Sequence, residues 1–221
     1  VAKKLKNCGI SHVQVSIDGL GYQHDLFRNK KGAFSKSIKA LKILKDNQMD
    51  IMVSCCPNKM NVGSIEAYVE YMYKVVGVTC IRMMPLLPIG RAQTECSHLF
   101  LSSAESFEFV QKLIKLRDKY PDLTLEWGDP LEHLYLVLFN RRKYPIIMSI
   151  GSTGDLTVTP YIPIILGNIK EKKLKTIWEN GYNKIWSNKQ VVDIIKQVIT
   201  IYDLSQFNET FYLDEKLWIN I

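Results

Sequence analysis

Between Ile10 and Met84 the sequence alternates short β-rich runs with amphipathic stretches, and this alternation limits the folds open to the chain. Ser35–Asp46 and Val62–Val76 carry apolar residues at steps of three and four, the spacing of one helix face. Each stretch is long enough to cross back over a sheet, so the pattern predicts an α/β fold with parallel strands. The predicted strands are HVQVSI (12–17), DIMVSC (50–55) and VTCIRMM (78–84).

After Ala92 this rhythm changes. A helix is predicted over Ser103–Lys119, with a serine at 102 or 103 as its N-cap. LTLEW (123–127) predicts a strand, and Asp129 before Pro130 predicts the start of a helix that runs to Phe139. We expect this part of the chain to link two differently built regions.

The stretch from Pro145 to Pro160 has two alternating runs joined by Gly-Ser-Thr-Gly-Asp, which is typical of a β-hairpin. Gly167-Asn168 predicts a turn, and Leu174, Ile177 and Trp178 then form the apolar stripe of a short helix. A last helix is predicted over Gln190–Thr200, followed by an aromatic tail. The second region is therefore expected to be a small α+β extension.

Charge and cysteine usage narrow the function classes. The formal net charge is +7, but the lysines are spread along predicted helices, so we expect solvated helix faces and not a nucleic-acid surface. No run approaches the roughly 18 to 20 apolar residues of a membrane span, and we expect a cytoplasmic protein. The five cysteines all lie in the first half, without a CxxC pair, which favours reduced, mostly buried thiols and no metal site.

Ser16, Asp18 and Arg28 are the first candidates for a binding site. Ser16 is close to the carboxyl end of a predicted strand, the edge at which α/β folds bind ligands. Asp18 beside Gly19 can cap the turn. Arg28 can lie back over this edge of the sheet, where its guanidinium can bind a carboxylate through two parallel hydrogen bonds. The alternative is that Asp18 is only a turn residue and Arg28 only a surface charge.

A second candidate is the apolar loop PLLPIGRA, residues 85–92, which follows another strand. Leu87 and Ile89 could form one wall for a flat ring such as adenine. Equally, the apolar residues of this loop could pack in a hydrophobic core between two subdomains.

Several of these segments, taken in order, resemble the fourth to sixth βα units of a radical S-adenosylmethionine enzyme, more narrowly of the group with a SPASM or twitch extension. The similar segments are VSIDG, HDLFR, KGAFSKSIKALKILKDNQMDIMVS, the Ile-Arg strand and PLLPIGRA in the first half, with LGNIKEKKLKTIWENG after the hairpin. The resemblance implies the second half of a partial (β/α) barrel over residues 1–92, a helical linker over 93–144, a degenerate SPASM-like hairpin and helix over 145–185, and a C-terminal helix and tail over 186–221.

The resemblance also implies roles for individual residues. Ser16 and Arg28 match positions that hold the methionyl carboxylate or ribose of S-adenosylmethionine, and the loop with Leu87 and Ile89 matches an adenine-side contact. Asp18 matches a strand-end aspartate whose role is structural or ligand-binding.

The sequence departs from the family pattern in its cysteines. The 4Fe-4S cluster of the family is held by CxxxCxxC, which these 221 residues lack, so we expect its ligands upstream of Val1. No cysteine follows Cys96, and Pro160-Tyr161 stands where the family often has Pro-Cys. Because tyrosine cannot replace a thiolate as a cluster ligand, we expect the extension to be free of clusters.

The expected function is that of a fragment of a radical S-adenosylmethionine enzyme, with a peptide or protein substrate and an external reductant. The full-length protein is expected to be the active enzyme, and this chain alone is expected to be inactive. A non-catalytic peptide- or partner-binding module derived from the same fold is the alternative. Four residues near the extension are candidate acids or bases, although each is better explained as a cap or surface charge: Glu126, Asp129, Glu132 and His133.

Overall fold

A computed structural model describes residues 1–139, 145, 148–207 and 217–219. The helices are α1 Ala2–Asn7, α2 Tyr22–Phe27, α3 Ala33–Asp46, α4 Ile65–Glu70, α5 Arg91–Glu95, α6 Ser103–Lys119, α7 Pro130–Leu138, α8 Leu174–Glu179 and α9 Lys189–Ile195. The strands are β1 His12–Ser16, β2 Asp50–Cys55, β3 Cys80–Met83, β4 Thr124–Trp127, β5 Ser149–Ile150, β6 Asp155–Thr157, β7 Ile164–Asn168 and β8 Leu217–Trp218. Parts of the predicted linker, hairpin and tail, at 140–144, 146–147, 208–216 and 220–221, lie outside the described residues.

The chain divides into two compact units. The first comprises residues 1–86 and 96–128, and the second comprises 87–95 and 129–221. This division differs from the predicted boundaries, because part of the predicted linker, residues 96–128, belongs to the first unit. The reason is that β4 pairs with β3 and that α6 packs on the same core.

The first unit is built on a parallel sheet in the order β1-β2-β3-β4, which confirms the predicted α/β fold with parallel strands. The sheet has four strands where the βα pattern alone predicted three. LTLEW was predicted as a strand, and its pairing with β3 adds it to this sheet.

One face of this sheet is covered by helices. Ile17, Val53, Ile81 and Leu125 on or beside the four strands are buried in one hydrophobic core, together with residues of α3, α4 and α6. Burying a side chain of this size stabilises the fold by about 1.5–3 kcal/mol relative to leaving it exposed. The core therefore fixes which side chains point to the opposite face, because neighbouring strand residues alternate between faces.

The opposite face carries polar side chains that are largely exposed. In β1 the exposed residues are His12, Gln14 and Ser16, and they alternate with the half-buried Val13 and Val15. Across the other strands this face has the exposed Asp50, Arg82, Thr124 and Glu126, with Met52, Ser54 and Cys80 half-buried between them. Sheets of parallel strands usually have both faces covered, so the exposed polar face of this sheet is a candidate binding surface.

Local sequence signals explain where helices α6 and α7 begin. The Ser102 hydroxyl accepts a hydrogen bond from the backbone N–H of Glu105, whose carboxylate accepts from the Ser102 N–H, so α6 begins with a complete capping box. Asp129 caps α7 by accepting from the N–H of Leu131. The stretch predicted as one helix over Val62–Val76 instead changes to a π-helical turn over Tyr71–Val76.

The second unit contains a four-stranded sheet in the order β5-β6-β7-β8, with its own hydrophobic core. The predicted hairpin is present as the antiparallel pair of β5 and β6. The predicted turn at Gly167-Asn168 is wrong, since both residues belong to β7. Gly167 serves close packing here: a Cβ atom at this position would lie 3.1 Å from Cδ1 of Ile177 in α8.

Within the described residues, no helix is long and apolar enough to cross a membrane.

Candidate functional site

Two serine hydroxyls meet at the carboxyl edge of the parallel sheet. Ser16 ends β1, Ser54 is the register partner of Ser16 in β2, and their Oγ atoms are 3.0 Å apart. Ser16 is exposed and Ser54 is half-buried. Each hydroxyl keeps acceptor capacity beyond this contact, so the pair can bind a further polar group.

Ser16 is predicted by the sequence as a site residue, whereas Ser54 was not predicted. The signal was present in the sequence, because Val15-Ser16-Ile17 and Val53-Ser54-Cys55 repeat the same order at two strand ends. In parallel strands of equal register, such a repeat brings the two hydroxyls together.

The row continues on the next two strands. Ser54 is paired in register with Arg82 of β3, and Arg82 is paired with Glu126 of β4. Both charged side chains are exposed. Four polar residues, one from each strand, therefore form a single cross-strand row near the carboxyl edge.

Asp18 lies just beyond β1 and binds three neighbouring segments through its carboxylate and backbone. Its side chain is 2% exposed, and Oδ2 accepts a hydrogen bond of 2.6 Å from Nε of Arg28. Oδ1 accepts a hydrogen bond of 3.0 Å from the backbone N–H of Cys56. The carbonyl oxygen of Asp18 accepts from Nδ2 of Asn61 at 2.8 Å. These contacts favour the structural role for Asp18 over direct ligand binding.

His24 completes this buried network. Its Nδ1 accepts a hydrogen bond of 2.9 Å from the backbone N–H of Asp18, so this nitrogen carries no proton. Burial lowers the pKa of His24, although the nearby Asp18 carboxylate acts in the opposite direction. The loop after β1 is thus held by a neutral imidazole and a buried carboxylate.

Arg28 is oriented by Asp18 and still reaches solvent. Its side chain is 42% exposed, and the guanidinium also lies 5.9 Å from the ring centre of Phe27. Nε is used by the carboxylate, which leaves the two terminal NH₂ groups with their donors for an anion. No hydrogen bond joins Arg28 to Ser16 in the part of the chain that the structure describes.

Leu87 and Ile89 are half-buried and belong to the second unit. There they pack against the hydrophobic cluster that includes Leu134, Ile162 and Ile177. This position accounts for their apolar character by packing, and their role as an adenine contact stays a prediction.

The cysteines of the chain do not fit an iron–sulfur cluster. Burial raises the pKa of the Cys55 thiol and raises that of Cys56 to about 12, so both are protonated thiols in this structure. Among the described residues, no group of three or more Cys, His, Asp or Glu side chains is arranged to hold a metal ion.

The other candidate residues have separate surroundings. Asp129 is the N-cap of α7, as expected, and Glu132 is exposed. The His133 ring lies edge-on to Tyr161 at 5.8 Å and to Trp186 at 6.2 Å between ring centres. Glu126 alone of these four lies on the polar face of the parallel sheet.

No family model matches the chain. Among curated proteins, it is 24% identical over 203 residues to the AdoMet-dependent heme synthase of Methanosarcina barkeri, covering 82% of this chain and 57% of that protein. It is 29% identical over 127 residues to the sporulation killing factor maturation protein SkfB of Bacillus subtilis, covering 58% of this chain and 28% of that protein. It is 36% identical over 72 residues to the Fe-coproporphyrin III synthase of M. barkeri, 33% of this chain and 18% of that protein. The chain therefore spans little more than half the length of the longest-matching of these relatives.

Solved structures show a similar fold. Native anSMEcpe with bound AdoMet has a TM-score of 0.62 at 16% identity, over 86% of this chain and 55% of that one. The same protein with bound AdoMet and Kp18Cys peptide has a TM-score of 0.59 at 15% identity, over 86% and 56% of the two chains. Together with the curated relatives, this likeness confirms the resemblance to the C-terminal portion of radical S-adenosylmethionine enzymes that the motifs predicted.

Proposed function

We propose that this chain supplies the C-terminal half of the S-adenosylmethionine site in a radical enzyme. The observation that carries the proposal is the Ser16–Ser54 hydroxyl pair, 3.0 Å apart at the carboxyl edge of a parallel sheet. Arg28 returns over the loop that follows the same edge strand. The hydroxyl pair keeps one free O–H donor and several acceptor lone pairs, which suits ribose hydroxyls, and the guanidinium suits a methionyl carboxylate.

The residues present fit S-adenosylmethionine in their chemistry. Ser16 and Ser54 would hold the ribose or the carboxylate through their hydroxyls, and Arg28 would bind the carboxylate through its free NH₂ groups. Asp18 would act as a positioning residue, because it holds Arg28 through Nε and leaves the rest of the guanidinium free. The polar loop is ordered by buried hydrogen bonds before any ligand binds, which lowers the entropic cost of binding.

The cluster is not held by these 221 residues in our proposal. No described group of three or more Cys, His, Asp or Glu side chains could hold it, and the ligands would come from a part of the whole protein outside this sequence. With cluster and cofactor bound, the site would supply a 5′-deoxyadenosyl radical that abstracts a substrate hydrogen. A reductant would deliver the electron, and the cytoplasm is the proposed compartment.

The fold supports an assignment of the two units. We assign the parallel sheet to the second half of a partial (β/α) barrel, with its polar face toward the interior. The hairpin of β5 and β6 and helix α8 would be a SPASM-like extension without clusters. This assignment is supported by the fold likeness to anSMEcpe and by the absence of cysteines after Cys96 in the sequence.

A peptide is the leading substrate class, because SkfB is a maturation protein and the anSMEcpe structure includes a peptide. A tetrapyrrole is a second candidate, since the matches of about 200 residues are to heme synthases. The non-catalytic alternative is a module that binds a peptide or partner on the same surface.

Anaerobic reconstitution of the full-length protein with iron and sulfide tests the proposal. We expect about four irons per protein, as for one cluster, and release of 5′-deoxyadenosine from S-adenosylmethionine after reduction. An iron content well above four per protein would contradict the proposal that the extension binds no cluster. A protein that binds neither iron nor S-adenosylmethionine would support the non-catalytic module instead.

A further inference from the structure

We propose that Arg82 binds a carboxylate of the substrate on the polar face of the parallel sheet. The inference rests on the proposed function, which it deepens by naming the chemical group that the substrate must present. Porphyrins and acidic peptides both carry carboxylates, so the assignment applies to either of the two substrate classes.

Arg82 occupies the right position for this role. It lies in the same register row as Ser54, one strand further from Ser16, so it is a neighbour of the proposed cofactor site and not a part of it. Strands lie about 4.8 Å apart, which places a group bound at Arg82 beside a cofactor bound at the two serines.

The Arg82 side chain extends toward the carboxyl edge. Its Nε lies 3.6 Å from the position that a Cβ atom would take at Gly128, the residue directly after β4. Cγ of Met84 lies 2.8 Å from the same position, so the side chains of Met84 and Arg82 both pass beside Gly128, and Arg82 remains exposed. The direction matters because ligands of parallel sheets bind at this edge.

The hydrogen-bond donors of the Arg82 guanidinium are unused among the described residues. Across the ranges that the structure describes, Arg82 forms no hydrogen bond and no ion pair, although its register neighbour in β4 is Glu126. Arg117, by contrast, donates twice to the carbonyl oxygen of Leu125. An exposed arginine with all five donors unused can take a carboxylate in the two-pronged geometry that suits it.

The other charges of the face disfavour a nucleic-acid backbone. Glu126 lies beside Arg82 and balances its charge, which disfavours a phosphodiester chain. Asp50 is four residues from Ser54 along β2, about 13 Å away, and pairs with His12 at 3.1 Å. A single carboxylate therefore fits the row better than a phosphate backbone does.

The test compares full-length wild-type protein with Arg82→Gln and Arg82→Lys. Lys115→Gln is the charge-matched control, because Lys115 is an exposed residue of α6 in the same unit. The probes are coproporphyrin III and its tetramethyl ester, and an acetylated pentapeptide amide with a central glutamate or glutamine. Affinity for S-adenosylhomocysteine is measured on the same samples, together with the thermal unfolding midpoint.

We expect Arg82→Gln to weaken binding of one acidic probe by about ten- to hundredfold, with S-adenosylhomocysteine affinity and thermal midpoint unchanged. Arg82→Lys should be intermediate, and the neutral probe should bind the wild-type protein as weakly as the acidic probe binds Arg82→Gln. The acidic probe that loses affinity in Arg82→Gln shows whether the carboxylate belongs to a porphyrin or to a peptide.

Three results would overturn the site: equal losses in Arg82→Gln and Lys115→Gln, a loss confined to S-adenosylhomocysteine, or no binding of either acidic probe to the wild-type protein. Failure of the wild-type protein to bind S-adenosylhomocysteine, with the Arg82 effect intact, would instead overturn the proposed function.

Discussion

Nε of Arg28 donates a hydrogen bond of 2.6 Å to Oδ2 of Asp18, a carboxylate that is 2% exposed. The same carboxylate accepts from the backbone N–H of Cys56, so it ties the loop after β1 to the end of β2. A buried carboxylate is stable only when it is paired and hydrogen-bonded. The loop conformation and the orientation of Arg28 therefore depend on one another.

Asp18→Asn should lower the free energy of unfolding by about 1–3 kcal/mol, because an amide cannot replace both charge-assisted hydrogen bonds. Urea denaturation measures this loss. Asp122→Asn is the control, since Asp122 is exposed, and we expect it to change stability by less than about 0.5 kcal/mol. Equal effects of the two substitutions would show that the Asp18 network contributes nothing specific.

The protein should lose stability as the pH falls below the ordinary range of histidine. Burial lowers the pKa of His24 in the folded state, so the unfolded chain binds a proton at a higher pH than the folded chain does. The stabilisation is present above the unfolded pKa of about 6.5 and is lost as the pH falls through the folded value. Asp18, Arg28 and Asp25 are the charged groups that act on this histidine.

Urea denaturation between pH 7.5 and 5 measures the effect. The decrease should be smaller in His24→Gln than in the wild-type protein, and should be retained in His98→Gln, in which an exposed histidine is removed. A pH dependence that is unaltered in His24→Gln would argue against this assignment.

The helix caps give an independent test of local structure. Ser102→Ala should destabilise the protein by about 1 kcal/mol, because the N–H of Glu105 loses its acceptor at the start of α6. Ser103→Ala, at the next position and inside the helix, should have little effect or a slightly stabilising one. Thermal denaturation of both variants checks the prediction, and a larger loss in Ser103→Ala would refute it.

Gly167→Ala should destabilise the second unit by about 1–3 kcal/mol, because the new Cβ would lie 3.1 Å from Cδ1 of Ile177. Ile177→Val removes that Cδ1 atom. If the contact is the cause, the double variant should be more stable than the sum of the two single losses predicts. Strict additivity in urea denaturation would rule the contact out.

The sequence predicted the parallel strands and the strand-end position of Ser16, because alternation and strand length are local signals. It did not predict the row of Ser16, Ser54, Arg82 and Glu126, since that row depends on the register between strands, which no single stretch encodes. The misassigned turn at Gly167 has a similar cause. A glycine required for packing against Ile177 cannot be distinguished by sequence from a glycine required for a turn.

Calorimetric titration of the full-length protein with S-adenosylhomocysteine tests the central claim most directly. Ser16→Ala should weaken binding by about two- to tenfold, because one hydrogen bond is lost, and Ser54→Ala should act in the same direction. Ser103→Ala, an exposed serine of the same unit, should leave the affinity unchanged. Wild-type affinity in both Ser16→Ala and Ser54→Ala would contradict a cofactor site at this sheet edge.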